Sequence, residues 1–375
     1  MSLLLCELLL RTFFPLGGSY FVLLPGLHAV FHPRPEVTPG VSGPAHFEVC
    51  SLGVRAPGPP APGETVVLAV GGSTTEESFL DLEETWTRQV RHAVNGASGG
   101  PPVWLGNAGR SGHGTREHLL QVRELLRTFP DTRVVLLLVG GNDFLRRLAE
   151  DHAYDPSAVS HPDFEQVTAQ RAFAVFPPSY RREVPFWKRS EVWTRLGRGF
   201  LALQLAWAAR QSGLVQDEQV EVIAAWREQR RRAAALRDTL PELEPALAEF
   251  RSNLGEIVRR VQAGGARLLL LTQPTLWRPD LPPELVDRLW LGGVGDFRRP
   301  GVRSDYYTPG ALAEGMARYN AAALEVCAQA GVACLDLAAR IPKDGDTFYD
   351  DLHFTEAGAA RVAREVSAAV GPLLR

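Results

Sequence analysis

Short apolar runs alternate with amphipathic stretches along most of this chain, from residue 65 to the carboxyl terminus. Short apolar runs bounded by glycine are typical of strands buried on both faces. The stretches between them repeat apolar positions every three or four residues, as in helices that cover a sheet. The pattern predicts an α/β protein with a parallel sheet of about five strands, within residues 66–70, 101–109, 132–143, 266–274 and 332–337.

Glycine-rich polar sequences end three of the predicted strands. They are GGS at 71–73, GNAG at 106–109 and GGND at 140–143. Ligands of parallel sheets bind beyond the carboxyl ends of the strands. We therefore expect these three sequences to lie together at one functional edge.

The chain divides into three predicted regions. Residues 1–64 form an amino-terminal apolar segment and a Pro/Gly-rich leader, and residues 65–375 form the α/β domain. Residues 144–250 interrupt the alternation and are predicted to be a largely helical insertion. We expect its apolar stripe to pack on the domain, and a cap over the strand ends is the second interpretation; the stripe comprises Trp193, Leu196, Phe200, Leu203 and Trp207.

The run Arg230–Arg232 lies within this insertion. A cluster of like charges on a helix is usually solvated. The run is therefore predicted to form an exposed helix face.

The amino terminus, MSLLLCELLLRTFF, leaves two interpretations open. Its apolar run contains Glu7 and is shorter than the roughly 20 residues that span a bilayer, so it is not predicted to cross a membrane by itself. It is either a helix packed on the domain or the end of a longer membrane segment that tethers the protein. We expect a periplasmic or membrane-tethered, extracytoplasmic location rather than a cytoplasmic one.

Composition and charge exclude several classes of function. Apolar residues make up 45% of the chain and charged residues 22%, as in ordinary globular proteins. A net charge of −3 gives no basis for a nucleic-acid surface. The four cysteines form no CxxC pair, so structural zinc is not expected. No disulfide is expected between Cys327 and Cys334, which straddle a predicted helix end and strand.

Ser73 is a candidate nucleophile because it follows a buried strand and opens a helix. A serine hydroxyl needs a base to take its proton, and a histidine base needs an acid to fix its tautomer. The carboxyl-terminal sequence TFYDDLHFTEAG supplies both in His353 and Asp350, three residues apart after the fifth strand. Asp351 is the alternative acid.

Negative charge that develops on a substrate oxygen requires hydrogen-bond donors. The candidates are the backbone N–H of Ser73, the N–H of Gly109 and the side-chain amide of Asn142, each after its own strand. Taken alone, Gly109 is also consistent with a turn glycine and Asn142 with a turn or cap residue. Their order along the chain, together with His353, favours a single site.

With these residues in this order, the chain resembles the SGNH hydrolases, the superfamily that includes the GDSL esterases and lipases. The resemblance covers roughly residues 65–372 outside the insertion and rests on the blocks AVGGSTT, GNAGRSG, VGGND and YDDLH. It implies a flavodoxin-like three-layer α/β/α sandwich and an ester hydrolase that forms an acyl-enzyme on Ser73. It also implies that no metal or other cofactor is needed and that the substrate is a small-molecule, carbohydrate or lipid ester.

Two features qualify the resemblance. Gly72 stands where many members of the superfamily carry Asp before the serine, which bears on the geometry of the loop. The leader FEVCSLGVRAPG before GGSTT resembles that of bacterial members in which a membrane helix precedes such a leader.

Two other functions fit the same residues. An O-acyltransferase would use the same site with a hydroxyl acceptor in place of water. A catalytically idle binding domain would keep the fold, although the complete set of site residues argues against it. A phosphate-binding loop at GGSTT is not favoured, because the lysine of GxxxxGK[ST] is absent.

Overall fold

The computed structural model describes most of the 375-residue chain. The described residues are 6–7, 9–10, 20–97, 100–175, 190, 192, 196 and 217–375.

Five strands form the central sheet. They are β3 (Thr65–Gly71), β4 (Val103–Gly109), β5 (Thr132–Val139), β7 (Arg267–Thr272) and β9 (Ala333–Leu335). All pair in parallel, in the order β4-β3-β5-β7-β9, which is the flavodoxin-like order. The predicted parallel sheet is confirmed, and its strands are almost entirely buried because helices cover both faces.

Helices alternate with these strands. The described α-helices are α1 (Ser73–Glu76), α2 (Trp86–Ala97), α3 (Thr115–Thr128), α4 (Gly141–Glu150), α5 (Phe164–Ala172), α6 (Asp217–Arg231), α7 (Glu244–Ala263), α8 (Pro283–Val286), α9 (Pro309–Ala330), α10 (Leu337–Arg340) and α11 (Glu356–Leu374). Helices α2 and α11 pack together on one face, and α7 packs against both α3 and α9 on the other. The chain therefore forms the three-layer α/β/α sandwich that the resemblance implied.

The leader contributes secondary structure of its own. Strand β1 (His28–Phe31) pairs with β2 (Ala45–Glu48) in an antiparallel ladder, and apolar leader residues join the core. Further along, the backbone of Arg55 exchanges two hydrogen bonds with Asn107 in β4. The leader from residue 20 onwards thus contacts the domain core and the edge strand β4, and the predicted boundary at residue 64 stays a prediction.

Arg55 inserts its guanidinium into the protein interior, where it is 1% exposed. Its two terminal nitrogens donate to the carbonyls of Glu76 (2.7 Å), Glu77 (2.8 Å), Leu80 (2.7 Å) and His46 (3.1 Å). Three of these carbonyls lie in the segment directly after Ser73. Burial lowers the pKa of Arg55 to about 10, so the side chain stays charged at neutral pH.

The described part of the predicted insertion contains helices α5 and α6, and its helical character as a whole stays a prediction. Helix α7 begins at Glu244, within the predicted insertion, and crosses over from β5 to β7. A two-residue strand β6 (Leu236–Arg237) pairs with β8 (Tyr306–Tyr307). Of the predicted apolar stripe only Leu196 is described, and it is exposed; the other four residues lie outside the described part of the chain.

The predicted arginine face requires a correction. Arg230 is only 6% exposed, because its guanidinium donates hydrogen bonds to the carbonyls of Leu291 and Tyr307. Arg231 and Arg232 are exposed, as expected. Of the three arginines, Arg230 is therefore buried, and Arg231 and Arg232 lie in solvent.

The described amino-terminal residues do not form a membrane-spanning helix. Within the described ranges, no helix combines the length and apolar content needed to cross a bilayer. Most of the amino-terminal apolar run lies outside those ranges, so the tether and the extracytoplasmic location stay predictions.

Cys327 and Cys334 are joined by a disulfide between the end of α9 and β9, with their Cα atoms 6.2 Å apart. The expectation of no disulfide is therefore wrong.

We predict that Arg55→Lys lowers the free energy of unfolding by about 3 kcal/mol. A lysine ammonium lacks the planar fork that reaches four carbonyls, and each hydrogen bond to a charged group contributes about 1.5–3 kcal/mol. Urea unfolding measures the change. The control Arg133→Lys alters an exposed arginine with one long contact, to Arg375 at 3.4 Å, and should stay within about 0.5 kcal/mol. Equal losses in both variants would contradict the role of Arg55.

Candidate active site

Ser73 lies where the central strand β3 turns into helix α1. β3 ends at Gly71, Gly72 is the N-cap, and Ser73 is the first helical residue. The backbone N–H of the first helical residue has no partner within its own helix, and it points away from the helix. Strand, cap and helix together present the Ser73 side chain and its N–H at the carboxyl edge of the sheet.

Gly72 is a glycine because the site is crowded around it. A Cβ placed on Gly72 would lie 2.3 Å from Asn142 Nδ2 and 3.3 Å from the carbonyl oxygen of His113. A side chain there would displace the Asn142 amide. Packing against Asn142 and His113 therefore explains why this chain has glycine at position 72, where many members of the superfamily carry Asp.

His353 contacts Ser73 although the two residues are 280 positions apart. His353 Nε2 lies 2.7 Å from Ser73 Oγ. On the other side of the ring, His353 Nδ1 lies 2.8 Å from Asp350 Oδ2 and 2.9 Å from Oδ1. Its side chain is 14% exposed, while that of Asp350 is fully buried. The three side chains form a continuous line of polar contacts from the protein interior to the sheet edge.

Asp350 is held by several hydrogen bonds. Its Oδ1 accepts the backbone N–H groups of Leu352 (3.0 Å) and His353 (2.9 Å). Its Oδ2 accepts the indole N–H of Trp290 at 2.8 Å. Burial alone would raise the pKa of Asp350, but the charge of His353 and these hydrogen bonds lower it below its usual value. The carboxylate is thus ionised and able to stabilise a charged imidazole.

Asp351 is buried beside Asp350 but makes different contacts. Its carboxylate accepts the indole N–H of Trp277 (2.8 Å) and the backbone N–H groups of Trp290 (2.7 Å) and Leu291 (3.1 Å). Burial and the negative charge of Asp350 raise its pKa. No hydrogen bond links Asp351 to His353 in this described part of the chain. Of the two acids weighed from the sequence, Asp350 is the one that contacts the histidine.

Asn142 lies in the first turn of helix α4, beside Gly72. Its Nδ2 donates one hydrogen bond to the carbonyl of His113 at 2.8 Å. An amide nitrogen carries two hydrogens, so the second remains for another acceptor. The turn before it requires a glycine, because Gly140 has φ +107°.

Gly109 does not offer the free N–H that the sequence suggested. Its N–H donates to Asn107 Oδ1 at 2.9 Å. A Cβ on Gly109 would lie 2.3 Å from the Glu76 backbone nitrogen, so this glycine permits close packing of β4 against α1. The interaction with Asn107, two residues earlier, could not be inferred from the motif alone.

Gly112 offers what Gly109 does not. It has φ +77°, it is exposed, and no described group accepts its N–H. Both neighbouring residues are fixed to the surroundings of Ser73. Ser111 donates through its N–H (2.7 Å) and its hydroxyl to the Glu76 carboxylate, and the His113 carbonyl accepts from Asn142. The sequence did contain a signal for this donor, namely the second glycine in GRSGHG. The prediction from sequence considers only Gly109, the glycine at the strand end.

The loop of Gly112 rests on a buried polar network. His113 Nδ1 lies 2.7 Å from Gln121 Nε2, and Glu117 pairs with Arg146 at 2.8 Å. Burial lowers the pKa of His113 to about 3. Burial alone would raise the pKa of Glu117, but the Arg146 charge lowers it to about 2. A neutral histidine and a paired carboxylate therefore support the loop at neutral pH.

A narrow cavity of about 10 Å³ adjoins Ser73 and His353, enough for about one water molecule. Glu77 forms part of its wall and has an uncommon backbone φ of 52°. Its Oε2 accepts the backbone N–H of Trp86 at 2.8 Å, whereas its buried Oε1 has no hydrogen-bond partner among the described residues. Burial raises the pKa of Glu77. The cavity is thus lined both by polar side chains, including Glu77, and by apolar ones, including Phe79 and Leu80.

Comparison with known proteins identifies a family that matches this chain. The model of the GDSL-like lipase/acylhydrolase family matches residues 69–361, which is more than half of the chain. No curated protein matches the chain.

Several solved structures are similar to the chain at low identity. TesA is 16% identical over 82% of this chain and 99% of its own, with a TM-score of 0.42. The esterase EstA from Pseudoalteromonas sp. is 12% identical over 83% and 99%, with a TM-score of 0.42. Axe2, an acetylxylan esterase from Geobacillus stearothermophilus, is 11% identical over 83% and 97%, with a TM-score of 0.43.

We predict that His113→Asn makes the free energy of unfolding less sensitive to acid. A histidine whose folded pKa lies below its unfolded value of about 6.5 binds more protons when unfolded. Wild-type stability is therefore lost as the pH falls from about 6.5 towards about 3, by at most about 1.4 kcal/mol per pH unit from this residue. Urea unfolding between about pH 7 and about pH 4.5 measures the slope.

His152→Asn is the matched control, since the side chain of His152 is fully exposed. It should keep the wild-type dependence of stability on pH. If His113→Asn also keeps that dependence, His113 is not the buried neutral histidine that supports the loop.

Proposed function

This chain belongs to the GDSL-like lipase/acylhydrolase family and hydrolyses ester bonds; we propose that it does so through an acyl-enzyme on Ser73. The observation that supports the proposal is the line of contacts from Ser73 Oγ through the imidazole of His353 to the carboxylate of Asp350. A serine, a histidine and a carboxylate in this geometry are suited to nucleophilic acyl transfer.

In the first half of the reaction, Ser73 Oγ attacks the carbonyl carbon of the ester. Its proton passes to His353 Nε2, which lies 2.7 Å away. Asp350 stabilises the resulting imidazolium at Nδ1. Collapse of the tetrahedral intermediate breaks the ester bond, and the leaving alcohol takes the proton from Nε2.

In the second half, water attacks the acyl group on Ser73. It gives a proton to His353, and collapse releases the acid as the proton returns to Ser73 Oγ. The carboxylate of Asp350 keeps the same role in both halves because it fixes the tautomer in which Nε2 is free to accept a proton.

The oxyanion is proposed to accept three hydrogen bonds. The donors are the Ser73 N–H, the second amide hydrogen of Asn142 and the Gly112 N–H. Gly112 replaces Gly109 in this proposal because the Gly109 N–H is already bonded to Asn107. The hydrogen bond from Asn142 to His113 fixes the orientation of the amide in advance, and donors that are held in place beforehand stabilise developing charge most effectively. We expect the substrate to be a small-molecule, carbohydrate or lipid ester.

We predict that Ser73→Ala abolishes hydrolysis of a chromogenic acetyl ester and labelling by a fluorophosphonate, because both require the Ser73 oxygen. Circular dichroism verifies that the variant is folded. The control Ser78→Ala removes the hydroxyl of the next serine along the chain and should keep both activities. Continued labelling of Ser73→Ala would refute the assignment of the nucleophile.

We also predict that Asn142→Ala lowers kcat by about 100- to 1,000-fold while KM changes little, since the amide is proposed to act in the transition state. Steady-state kinetics on the same ester measure both constants. The control Asn95→Ala removes an amide that bonds the backbone of Val103 at the opposite end of β4, and it should lower stability without lowering kcat. A change confined to KM would mean that Asn142 binds the ground state instead.

A further inference from the structure

The Asp350 carboxylate receives one hydrogen bond from a distant part of the chain. The backbone donors to Oδ1, from Leu352 and His353, belong to its own loop. The donor to Oδ2, the indole N–H of Trp290, comes from a segment 60 residues earlier. Terminal torsions of Asp side chains are broad, so bonds to Oδ1 alone leave the plane of the carboxylate free to rotate. Besides His353 itself, Trp290 is the described residue that bonds to Oδ2, and its hydrogen bond restricts that rotation.

Trp290 is itself fixed on several sides. Its backbone N–H donates to Asp351 Oδ2 at 2.7 Å. Its ring stacks on Trp226 of the insertion helix α6, with 4.6 Å between ring centroids. The ring of His353 lies parallel to it, with 6.4 Å between centroids, and the Arg298 guanidinium lies 5.3 Å from its centroid. The indole is 6% exposed and therefore has one orientation available.

Two buried arginines of α6 tie the insertion to the same place. Arg227 donates to the carbonyls of Arg288 (2.8 Å) and Tyr349 (3.0 Å), so it reaches both the segment before Trp290 and the residue before Asp350. Arg230 donates to the carbonyl of Leu291, the residue after Trp290. Both arginines are 6% exposed. Helix α6 thus holds the backbone on both sides of the indole.

We propose that Trp290 is a positioning residue that orients the Asp350 carboxylate towards His353, and that helix α6 of the insertion holds Trp290 for this purpose. The proposal rests on the acyl-enzyme mechanism above, in which Asp350 stabilises the His353 imidazolium. It gives the insertion a role in the chemistry that is separate from shaping a substrate pocket.

Loss of the indole N–H has an electrostatic consequence as well as a geometric one. The N–H stabilises negative charge on Asp350, so its removal leaves a carboxylate that attracts the imidazolium more strongly. The acid limb of kcat/KM, which reports the ionisation of the catalytic base, is then expected to move upwards. The other charged or titratable groups facing this pair remain in place: Asp351 and Tyr349 on the same loop, Arg227 on α6 and Glu77 beside the cavity.

The test compares two tryptophans that bond to adjacent aspartates. Trp290→Phe removes the donor to Asp350, and Trp277→Phe removes the donor to Asp351. We expect Trp290→Phe to lower kcat by about 10- to 100-fold, which corresponds to one hydrogen bond to a charged group, with little change in KM and an upward shift of the acid limb. Trp277→Phe should keep the wild-type acid limb.

A second variant secures the test if Trp290→Phe does not fold. Trp226→Leu removes the ring stacked on Trp290 and so weakens the Trp290–Asp350 hydrogen bond without removing its donor. It should lower kcat by a smaller factor and move the acid limb in the same direction by a smaller amount. An unmoved acid limb in the folded variants, or equal losses of kcat in Trp290→Phe and Trp277→Phe, would overturn the positioning role. Asp350→Asn separates this failure from that of the mechanism, because full activity in Asp350→Asn would refute the proposed role of Asp350 itself.

Discussion

The hydrogen bond between Ser73 and His353 is the interaction on which the rest of this structure depends. It joins two residues 280 positions apart at a distance of 2.7 Å. A contact of this kind is useful only if both ends are fixed to within a few tenths of an ångström. On the side of Ser73, the constraint is the buried strand β3 with the tight turn at Gly72. On the side of His353, it is the network around Asp350.

The leader strengthens both ends of this contact. Arg55 binds the carbonyls of Glu76, Glu77 and Leu80 directly after Ser73. Nearer the amino terminus, the Gly40 carbonyl accepts the N–H of Glu356, and Ser42 donates to the Glu356 carboxylate, just after His353. The sequence predicts this segment to be a Pro/Gly-rich leader. In the structure it contacts both the segment after Ser73 and the segment after His353.

The general plan of the molecule could be predicted from the sequence because it depends on local patterns. Apolar runs identified the strands, and the rule that strand ends meet at one edge brought Ser73, Asn142 and His353 together. The details that the sequence did not reveal depend on the orientation of individual side chains and on long-range partners. The Gly109 N–H is bonded to the Asn107 side chain, whereas the N–H of Gly112 in the following loop has no acceptor among the described residues. Likewise, no local pattern shows that Arg230 will bury itself against carbonyls about 60 to 80 positions away, or that Trp290 will bond to Asp350.

The most direct test of the account is to isolate the acyl-enzyme. The protein is mixed with an activated ester, quenched in acid during turnover and analysed by intact-mass and peptide mass spectrometry. The account predicts a mass increase of one acyl group, located on Ser73 in the peptide that follows β3, which disappears once the substrate is consumed. An adduct on another residue, or hydrolysis with no adduct and no initial burst of released alcohol, would contradict it.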